Sequence, residues 1–517
     1  MDQPKNRGTL LVASFLTLVA AGAGFATRGA AGPAWAKMGI GPADFGTIMG
    51  YGFLGFGFVI FIGGILVELF GYKKLLLLSV VLHFVSAGMM FAAPSMYEGW
   101  VESVGQDQAT SNVIWLLQMS VLLFSICNGL YEGVINPLVG QLYPENQTHY
   151  LNVLHAGWPG GMVLGGLLAA GFQNETAWIQ EIPWHYALSA YSIVLVVLTL
   201  MVVGQKFPET VSASGKSSFG VLFSCFASVP FLVLLVLHSL IGYMELGVDS
   251  WQTRLMENLV DNSVTVLIYT SVLMFVLRFF AGPIVHRLNP IGLLLASSII
   301  AILGLLWLGT EINSVAMIFA AATLYSLGKA FLWPTMLAVA GERYPQSGAV
   351  AMSALGAAGM ITVGFVAGTM IGAQQSESMN VALEEAAPET YGRYFEGTEK
   401  TFLGYKSREL NPGLQQAAMD GKLDDALAAI DSQESVTEED KAARKDAIRA
   451  DFDADSQAIT TAFNIGGRKT LTMTAAVPAA MAVGFLLLSI YYKAIGGYKV
   501  IRLDDAASED SAEAATT

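Results

Sequence analysis

Long apolar runs separated by short polar stretches dominate this chain. Read with a window of about 19 residues, the sequence shows six runs before the polar stretch "GQKFPETVSASGKSS" and six after it. Each is long enough to cross a bilayer as a helix, which takes roughly 20 apolar residues. The pattern predicts an all-α polytopic membrane protein with twelve transmembrane helices, here called spans 1 to 12. They lie near 9–31, 46–70, 73–93, 113–139, 151–172, 185–204, 219–247, 263–286, 291–309, 314–340, 348–372 and 470–494.

The composition excludes several functional classes. Hydrophobic residues make up 54% and charged residues 13%, with a mean hydropathy of +0.54, which a soluble protein would not show. Cys127 and Cys225 both fall inside apolar runs, so the sequence offers no disulfide framework and no cysteine-based metal site. It contains no phosphate-binding loop, metal-spaced histidine cluster, nucleophile elbow or basic tract, so we expect no enzyme activity, cofactor, metal or nucleic-acid partner.

The lysines and arginines of the short loops predict the orientation. Such residues resist translocation and mark the cytoplasmic side. We therefore expect a multi-pass protein of the plasma (inner) membrane with both termini cytoplasmic. The short segments predicted to be outside hold Lys37 and Arg254, whereas the inside ones hold Lys5, Arg7, Lys73, Lys74, Lys206, Lys216, Arg287, Arg343, Lys493, Lys499 and Arg502.

The same pattern divides the chain. We expect a six-helix bundle over 1–204, a cytoplasmic linker over 205–218, a second bundle over 219–494 and an acidic cytoplasmic tail over 495–517. An acidic extracytoplasmic insertion, 373–468, lies within the second bundle between spans 11 and 12.

The acidic insertion carries helical signals of its own. It holds 19 acidic and 10 basic residues, a net charge of about −9 of the chain's −14. "NPGLQQAAMDGKLDDALAAI" and the segment after Thr437 are typical of amphipathic helices, and Thr437 followed by Asp440 resembles a capping box. We expect a small cap of two or three helices; the alternative is a mobile acidic tether.

The two halves show weak internal similarity, as expected of a duplicated transporter. Glu132 lies five residues before Pro137 in span 4, and Lys329 lies five residues before Pro334 in span 10. Two further pairs of segments occur in matching order: "LYPENQ" (142–147) with "RYPQSG" (343–348), and "GGILVELFGYKKLLLL" (63–78) with "AGPIVHRLNPIGLLLA" (281–296).

Ionisable residues inside the spans are the candidates for function. A charge at mid-bilayer costs at least about 2.5 to 3.5 kcal/mol, so such residues face a cavity or one another. Helical spacing places them on single faces of their spans. The faces are Ser125, Asn128, Glu132 and Asn136 in span 4; His238, Gly242, Glu245 and Asp249 in span 7; Ser326, Lys329 and Trp333 in span 10; and Arg28 in span 1.

The loop after span 2 carries a recognisable motif. "GILVELFGYKKLL", with Gly64, Glu68, Gly71 and Lys73 at its key positions, resembles the signature of the major facilitator superfamily, although Glu68 stands where Asp is usual. The resemblance implies two pseudo-symmetric six-helix bundles around a central cavity lined by spans 1, 4, 7 and 10. It also implies a cytoplasmic gate, to which we assign these four residues and Arg278.

Three further segments resemble the fucose-type sugar:proton symporters of that superfamily: "YEGVINP" (131–137), "GYMELGVDSW" (242–251) and "RFFAGPIVHRLNP" (278–290). This likeness implies a sugar substrate and proton coupling. One departure matters, because Arg28 stands in span 1 where those symporters carry an acid.

Alternatives remain open for most of these residues. Glu132 either exchanges a proton during transport or permanently neutralises Arg28 or Lys329. Asp249 is expected near the outer interface in contact with solvent, and His155 at an interface. Trp251 and Trp333 either stack on a sugar or belong to the interfacial aromatic belts.

We expect a secondary active transporter that moves a small polar solute, a sugar with protons, by alternating access. One alternative is an organic anion, such as a sugar acid or carboxylate, held by Arg28 and Lys329. Another is a receptor or scaffold that uses the acidic insertion and transports nothing. The sequence leaves open the solute, the choice among proton coupling, sodium coupling and uniport, the role of 373–468, and the oligomeric state.

Overall fold

The computed structural model describes residues 5–173, 182–255, 264–312, 314–433 and 437–502. Among these, ten helical segments are long and apolar enough to cross a membrane. The remaining two predicted spans consist of shorter helices: span 5 is divided between Gln147–His155 and Gly157–Gln173, and span 8 between Val264–Arg278 and the beginning of Ala281–Leu308. The predicted all-α membrane fold is confirmed.

The helices of the first half are Arg7–Gly29, Gly32–Ala36, Pro42–Phe70, Tyr72–Val104, Gln106–Leu142, Gln147–His155, Gly157–Gln173, Trp184–Ser189 and Ser192–Val202. Those of the second half up to the insertion are Val221–Ala227, Val229–Gly242, Tyr243–Gly247, Val248–Leu255, Val264–Arg278, Ala281–Leu308, Val315–Lys329, Leu332–Arg343, Pro345–Ser347, Gly348–Thr362, Val363–Ala367 and Gly368–Ala386. Tyr243–Gly247 and Val363–Ala367 are π-helical turns within spans 7 and 11.

The internal sequence similarity matches turns of the first half with turns of the second, and the matched turns have similar backbone dihedral angles. Tyr143 (φ −133°, ψ 58°) and Tyr344 (φ −129°, ψ 51°) end spans 4 and 10 alike. Gly71 (φ 82°, ψ 158°) and Asn289 (φ 53°, ψ 168°) separate spans 2 and 3 and spans 8 and 9. Glycine and asparagine are the residues that tolerate a positive φ, so this turn restricts the sequence in both halves.

Both described chain ends lie at one end of the helical bundle. Asn6 donates a hydrogen bond to Gln205 of the linker at 2.9 Å, and Tyr498 donates one to Glu342 at the end of span 10 at 2.6 Å. We call this end the termini side and the opposite end the insertion side. The tail beyond 502 lies outside the described residues.

The insertion continues spans 11 and 12 beyond their apolar runs. Gly368–Ala386 and Glu438–Thr474 form two adjacent stalk helices that carry Pro388–Tyr394, strands β1 (Phe395–Phe402) and β2 (Tyr405–Leu410), Pro412–Met419 and Leu423–Asp431. Thr437 caps the second stalk helix, accepting a hydrogen bond from the Asp440 amide at 3.2 Å. The antiparallel hairpin was not predicted, because its strands are short and largely exposed.

The insertion has its own apolar core, separate from that of the spans. Leu383, Tyr394, Leu414, Ile448 and Phe463 are buried together in it. A core of this kind argues against the mobile tether among the described residues.

Ion pairs that are at most partly buried surround that core. Arg393 donates to the fully buried Asp455 at 2.9 Å, and this hydrogen bond raises the pKa of Arg393. Arg408 is held by Glu377 at 2.9 Å and Glu384 at 2.6 Å, and both contacts raise its pKa. These pairs fix the hairpin and the helix before it to the stalk.

Candidate functional site

A small, partly open cavity lined mostly by buried side chains lies where spans of both halves meet. Its volume is about 30 Å³, which holds about one water molecule. Its charged lining residues are Glu132, Glu245 and Arg278. The rest of the lining is Phe56, His155, Trp158, Leu246, Trp333 and Met360.

Glu132 ends a short chain of hydrogen bonds. The Asn136 amide donates to its Oε2 at 2.5 Å, and His155 Nε2 lies 2.9 Å from Asn136 Oδ1. His155 Nε2 is 3.9 Å from the Glu132 carboxylate, and all three side chains are buried. Among the described residues no Lys or Arg nitrogen lies within 4.0 Å of Glu132, so neither Arg28 nor Lys329 neutralises it directly.

Arg278 lies at the cavity and not at a gate on the termini side. Its Nη2 donates to Glu245 Oε1 at 2.6 Å, and its Nη1 donates to the His155 carbonyl at 2.6 Å. Its Nε donates to the Ala330 carbonyl at 2.7 Å, at the break in span 10. The assignment of Arg278 to the cytoplasmic gate was therefore wrong, because this side chain connects spans 5, 7, 8 and 10 at the cavity.

Lys329 and Asp249 form a second buried ion pair. The Lys329 side chain is fully buried, and that of Asp249 is 12% exposed. Asp249 was expected in contact with solvent, and this small exposed fraction leaves it only limited contact. Because Asp249 neutralises Lys329, this lysine is not free to hold Glu132 or an anionic solute.

Arg28 occupies a separate position inside the first half. Its guanidinium lies 3.8 Å from the centre of the Phe124 ring and 5.1 Å from that of Tyr191. Nη1 donates to the Gly24 carbonyl at 3.0 Å, and no carboxylate lies within 4.0 Å among the described residues. Arg28 and Lys329 thus do not come together as an anion clamp.

The remaining predicted cavity residues divide into two groups. Trp333 lines the cavity and lies against His238, with 4.4 Å between ring centres. Trp251 instead packs on Gly368 and Gly372 of span 11. Asn128 is buried in span 4 but does not line the cavity.

Comparison with known proteins places the chain in a family. Residues 13–369 match the model of the Major Facilitator Superfamily, which is more than half of the chain. The protein belongs to the Major Facilitator Superfamily. It is thus a transporter and not an enzyme.

Solved structures share the fold of this superfamily member. The E. coli fucose:proton symporter aligns with a TM-score of 0.54 and 16% identity, over 70% of this chain and 90% of that one. A proton:xylose symporter gives 0.57 and 15%, over 70% and 88%. A human organic anion transporter gives 0.57 and 13%, over 93% and 100%. Comparison with curated proteins yields no significant match. At such identities the likeness extends to the fold alone.

The superfamily motif after span 2 joins the two halves on the termini side. Glu68 accepts hydrogen bonds from the Ser212 amide of the linker and the Ala349 amide at the start of span 11, both at 3.0 Å. Gly64 packs directly against span 11, where an added Cβ would lie 2.3 Å from Ser353 Oγ. Lys73 donates to the Val203 carbonyl at 2.6 Å, and Gly71 forms the turn described above.

Sequence reasoning missed five residues that line the cavity, and two of them, His155 and Trp158, carry polar ring nitrogens; the other three are Phe56, Leu246 and Met360. We expected His155 at an interface, yet it is buried at the cavity beside Trp158. The glycines after them bring span 5 against span 1: an added Cβ on Gly161 would lie 2.2 Å from the Val19 carbonyl. The useful signal was the spacing of His155 and Trp158, three residues apart on one face.

Proposed function

We propose that this transporter moves a sugar together with a proton by alternating access, with Glu132 as the proton carrier. The observation that carries the proposal is the Glu132–Asn136–His155 chain at the cavity between the halves. A buried carboxylate is stabilised by hydrogen-bond donors such as the Asn136 amide, and its charge is balanced either by a cation or by a proton. Glu132 has no Lys or Arg partner within 4.0 Å among the described residues, so a proton is the balancing charge that transport can supply and remove.

The neighbouring Glu245–Arg278 pair is the part of the second half that we expect to bind the solute and so to couple its binding to that of the proton. Glu245 Oε2 has no hydrogen-bond partner among the described residues, although the carboxylate is buried. A solute hydroxyl can donate to this oxygen. Solute binding on Glu245 and proton binding on Glu132 would then occur in one cavity, on opposite halves of the molecule.

The other unpaired groups at the cavity suit a neutral polyol better than an anion. Trp158 Nε1 lacks a partner among the described residues and can donate to a hydroxyl, and the Trp333 ring offers an apolar face to sugar C–H groups. Arg278 is the sole cation of the described lining, and Glu245 already neutralises it. The organic-anion alternative therefore requires this pair to open.

The volume of the cavity implies movement. At about 30 Å³ it is far too small for a sugar, so the halves must separate to admit one. Contacts on the termini side join the halves: Thr148 donates to Glu342 at 2.8 Å, and Asn152 to Thr335 at 3.1 Å. We propose that the termini side is cytoplasmic and that Gly64, Glu68, Gly71 and Lys73 form its gate.

The test begins with the solute. Purified protein is screened by thermal shift against neutral hexoses, hexuronates and amino acids at two pH values. The proposal expects stabilisation by a neutral sugar, whereas stabilisation by hexuronates alone would favour the anion alternative.

The decisive variant is Glu132→Gln, reconstituted in liposomes with the stabilising sugar. We expect counterflow exchange to continue and proton-driven uphill uptake to be lost, because the amide cannot exchange a proton. Glu98→Gln, at an exposed position of the helix Tyr72–Val104 beyond the apolar run of span 3, is the matched control and should retain both activities. Equal loss of exchange and uphill uptake would assign Glu132 to binding or structure instead.

A further inference from the structure

The tip of the β1–β2 hairpin has an unusual composition for the unit that carries it. The seven residues from Lys400 to Lys406 read KTFLGYK and contain two lysines, two aromatic residues and no acid, within an insertion of 19 acidic and 10 basic residues. Leu403 at the apex is 72% exposed. An exposed apolar apex between aromatic rings and lysines is the composition of membrane interfaces.

The turn itself gains nothing from leucine. Phe402 pairs with Tyr405, so Leu403 and Gly404 form a two-residue hairpin loop, with φ of 47° and 83°. Gly is favoured at such a position because it lacks a Cβ, and Asn or Asp because their short polar side chains hydrogen-bond locally; other side chains are strained at positive φ by about 1 kcal/mol. The leucine thus occupies a position where the fold of the hairpin favours a polar residue.

The path of β2 directs the tip back toward the spans. The Arg408 carbonyl accepts hydrogen bonds from Ser376 at 2.7 Å and from Asn380 at 3.0 Å. Arg408 therefore lies beside the first stalk helix, at a height between Ser376 and Asn380. Two residues further along β2, Leu410 is buried with Leu383 and Tyr394, which lie farther from the spans. The strand therefore runs away from the spans, and its beginning, with the tip, points toward them.

The distances bring the tip to the bilayer surface. Leu403 precedes Arg408 by five residues, which cover about 16 Å of strand. The same length corresponds to about 11 residues of helix. Counted back from about residue 378, midway between Ser376 and Asn380, this reaches about residue 367, within the last two turns of the apolar run of span 11, 348–372.

The position of span 12 independently indicates the same height for the bilayer surface. An added Cβ on Gly466 would lie 2.9 Å from the Gln375 carbonyl and 3.0 Å from the Met379 side chain, which aligns the two stalk helices. The apolar run of span 12 begins four residues later, at 470, so the bilayer surface lies just below Gln375. The hairpin tip reaches this surface.

We propose that Leu403, together with the exposed parts of the partly buried Phe402 and Tyr405, inserts into the lipid interface on the insertion side, with Lys400 and Lys406 at the headgroups. The occupant is the bilayer that surrounds the spans, and the lysines favour its anionic lipids. Lys406 is exposed, and Lys400, though 2.6 Å from Glu409, has a side chain that is 64% exposed. The contact would restrain the insertion against the bilayer while the halves move.

The test uses the full-length protein labelled at Leu403→Cys with a polarity-sensitive fluorophore. Cys127 and Cys225 are buried, so the label goes to the new thiol. The protein is reconstituted in phosphatidylcholine–phosphatidylglycerol vesicles containing lipids spin-labelled near the headgroup. A label on Lys422→Cys, in an exposed turn of the distal part of the insertion, is the matched control.

We expect a blue-shifted emission at position 403 and quenching several-fold stronger than at position 422. Thr401→Cys, at an exposed position that leaves Leu403 in place, guards against damage to the turn and should be quenched in the same way. If neither 401 nor 403 is quenched more than 422, the proposal is overturned. A blue shift that depends on protein concentration and is not accompanied by quenching would also overturn the proposal. Such a result would mean that a second copy of the protein covers the tip.

Discussion

Lys329 and Asp249 neutralise each other inside the membrane part of the protein, while Glu132 is held by an amide and Arg28 by aromatic rings. These are different solutions to the same problem, since an uncompensated charge in the bilayer is expensive. An ion pair is permanent, and a guanidinium over ring faces carries a charge that cannot be removed. The carboxylate alone can be neutralised reversibly, which is why the coupling role is proposed for Glu132.

The pair of Lys329 and Asp249 permits a double-mutant test. Lys329→Ala leaves a largely buried carboxylate without its cation, and we expect a loss of about 3 to 5 kcal/mol in stability. Asp249→Ala should cost a similar amount. The double variant should recover most of the loss, because no uncompensated charge remains. Thermal unfolding in detergent measures all three, and additive losses in the double variant would show that the two residues are not coupled.

At the scale of helices and strands, regular periodicity was predictable and its interruptions were not. Span 7 shows why: His238, Glu245 and Asp249 share a face only if the helix is α-helical throughout. The π-helical turn Tyr243–Gly247 takes more residues per turn and rotates the rest of the span about its axis. In the structure Glu245 meets Arg278, while Asp249 meets Lys329. Which cation meets which acid depends on packing between spans, and no spacing within one span records it.

The insertion offers a prediction about its own elements. Asp455 is fully buried and accepts hydrogen bonds from Thr390 at 2.7 Å and Arg393 at 2.9 Å. Asp455→Ala leaves Thr390 without its acceptor and Arg393 with the exposed Asp451 as its remaining ion-pair partner among the described residues, and should destabilise the insertion by about 2 kcal/mol or more. Asp451 also contacts Arg393, at 3.3 Å, but its side chain is 52% exposed, so Asp451→Ala should cost under about 1 kcal/mol.

Limited proteolysis of the full-length protein distinguishes these two variants. We expect faster cleavage within the insertion for Asp455→Ala and cleavage close to the native rate for Asp451→Ala. Solute uptake should persist in both, because no described residue of the insertion lines the cavity. Native resistance in Asp455→Ala would contradict the stabilising role of this pair.

At the scale of the whole molecule, the duplication could be predicted from the sequence because both halves need turns with the same unusual backbone conformations. Gly71 and Asn289 share a positive φ, and Tyr143 and Tyr344 share a cap conformation, so the sequence is constrained in both copies. The lining of the cavity was harder to predict from the sequence. It lies between the halves, and His155 and Trp158 reach it from span 5, which the rule of spans 1, 4, 7 and 10 does not include.

Alternating access predicts that weakening the contacts on the termini side shifts the whole molecule toward a conformation open on that side. Gly64→Ala places a methyl group where an added Cβ would lie 2.3 Å from Ser353 Oγ and 3.0 Å from the Ala349 carbonyl, so span 2 must move away from span 11. Gly88→Ala is the matched control, because an added Cβ on this helical glycine meets nothing within 4 Å.

The readout is the distance between spin labels at Glu145 of the first half and Arg287 of the second, both exposed on the termini side. We expect Gly64→Ala to shift the distance distribution toward longer values, since the contact that opposes opening is lost while the contacts on the insertion side are retained. Gly88→Ala should leave the distribution unchanged. A native distribution in Gly64→Ala would mean that the close approach of spans 2 and 11 does not hold this side closed, and Glu68 with its two amide donors would then have to account for the closure alone.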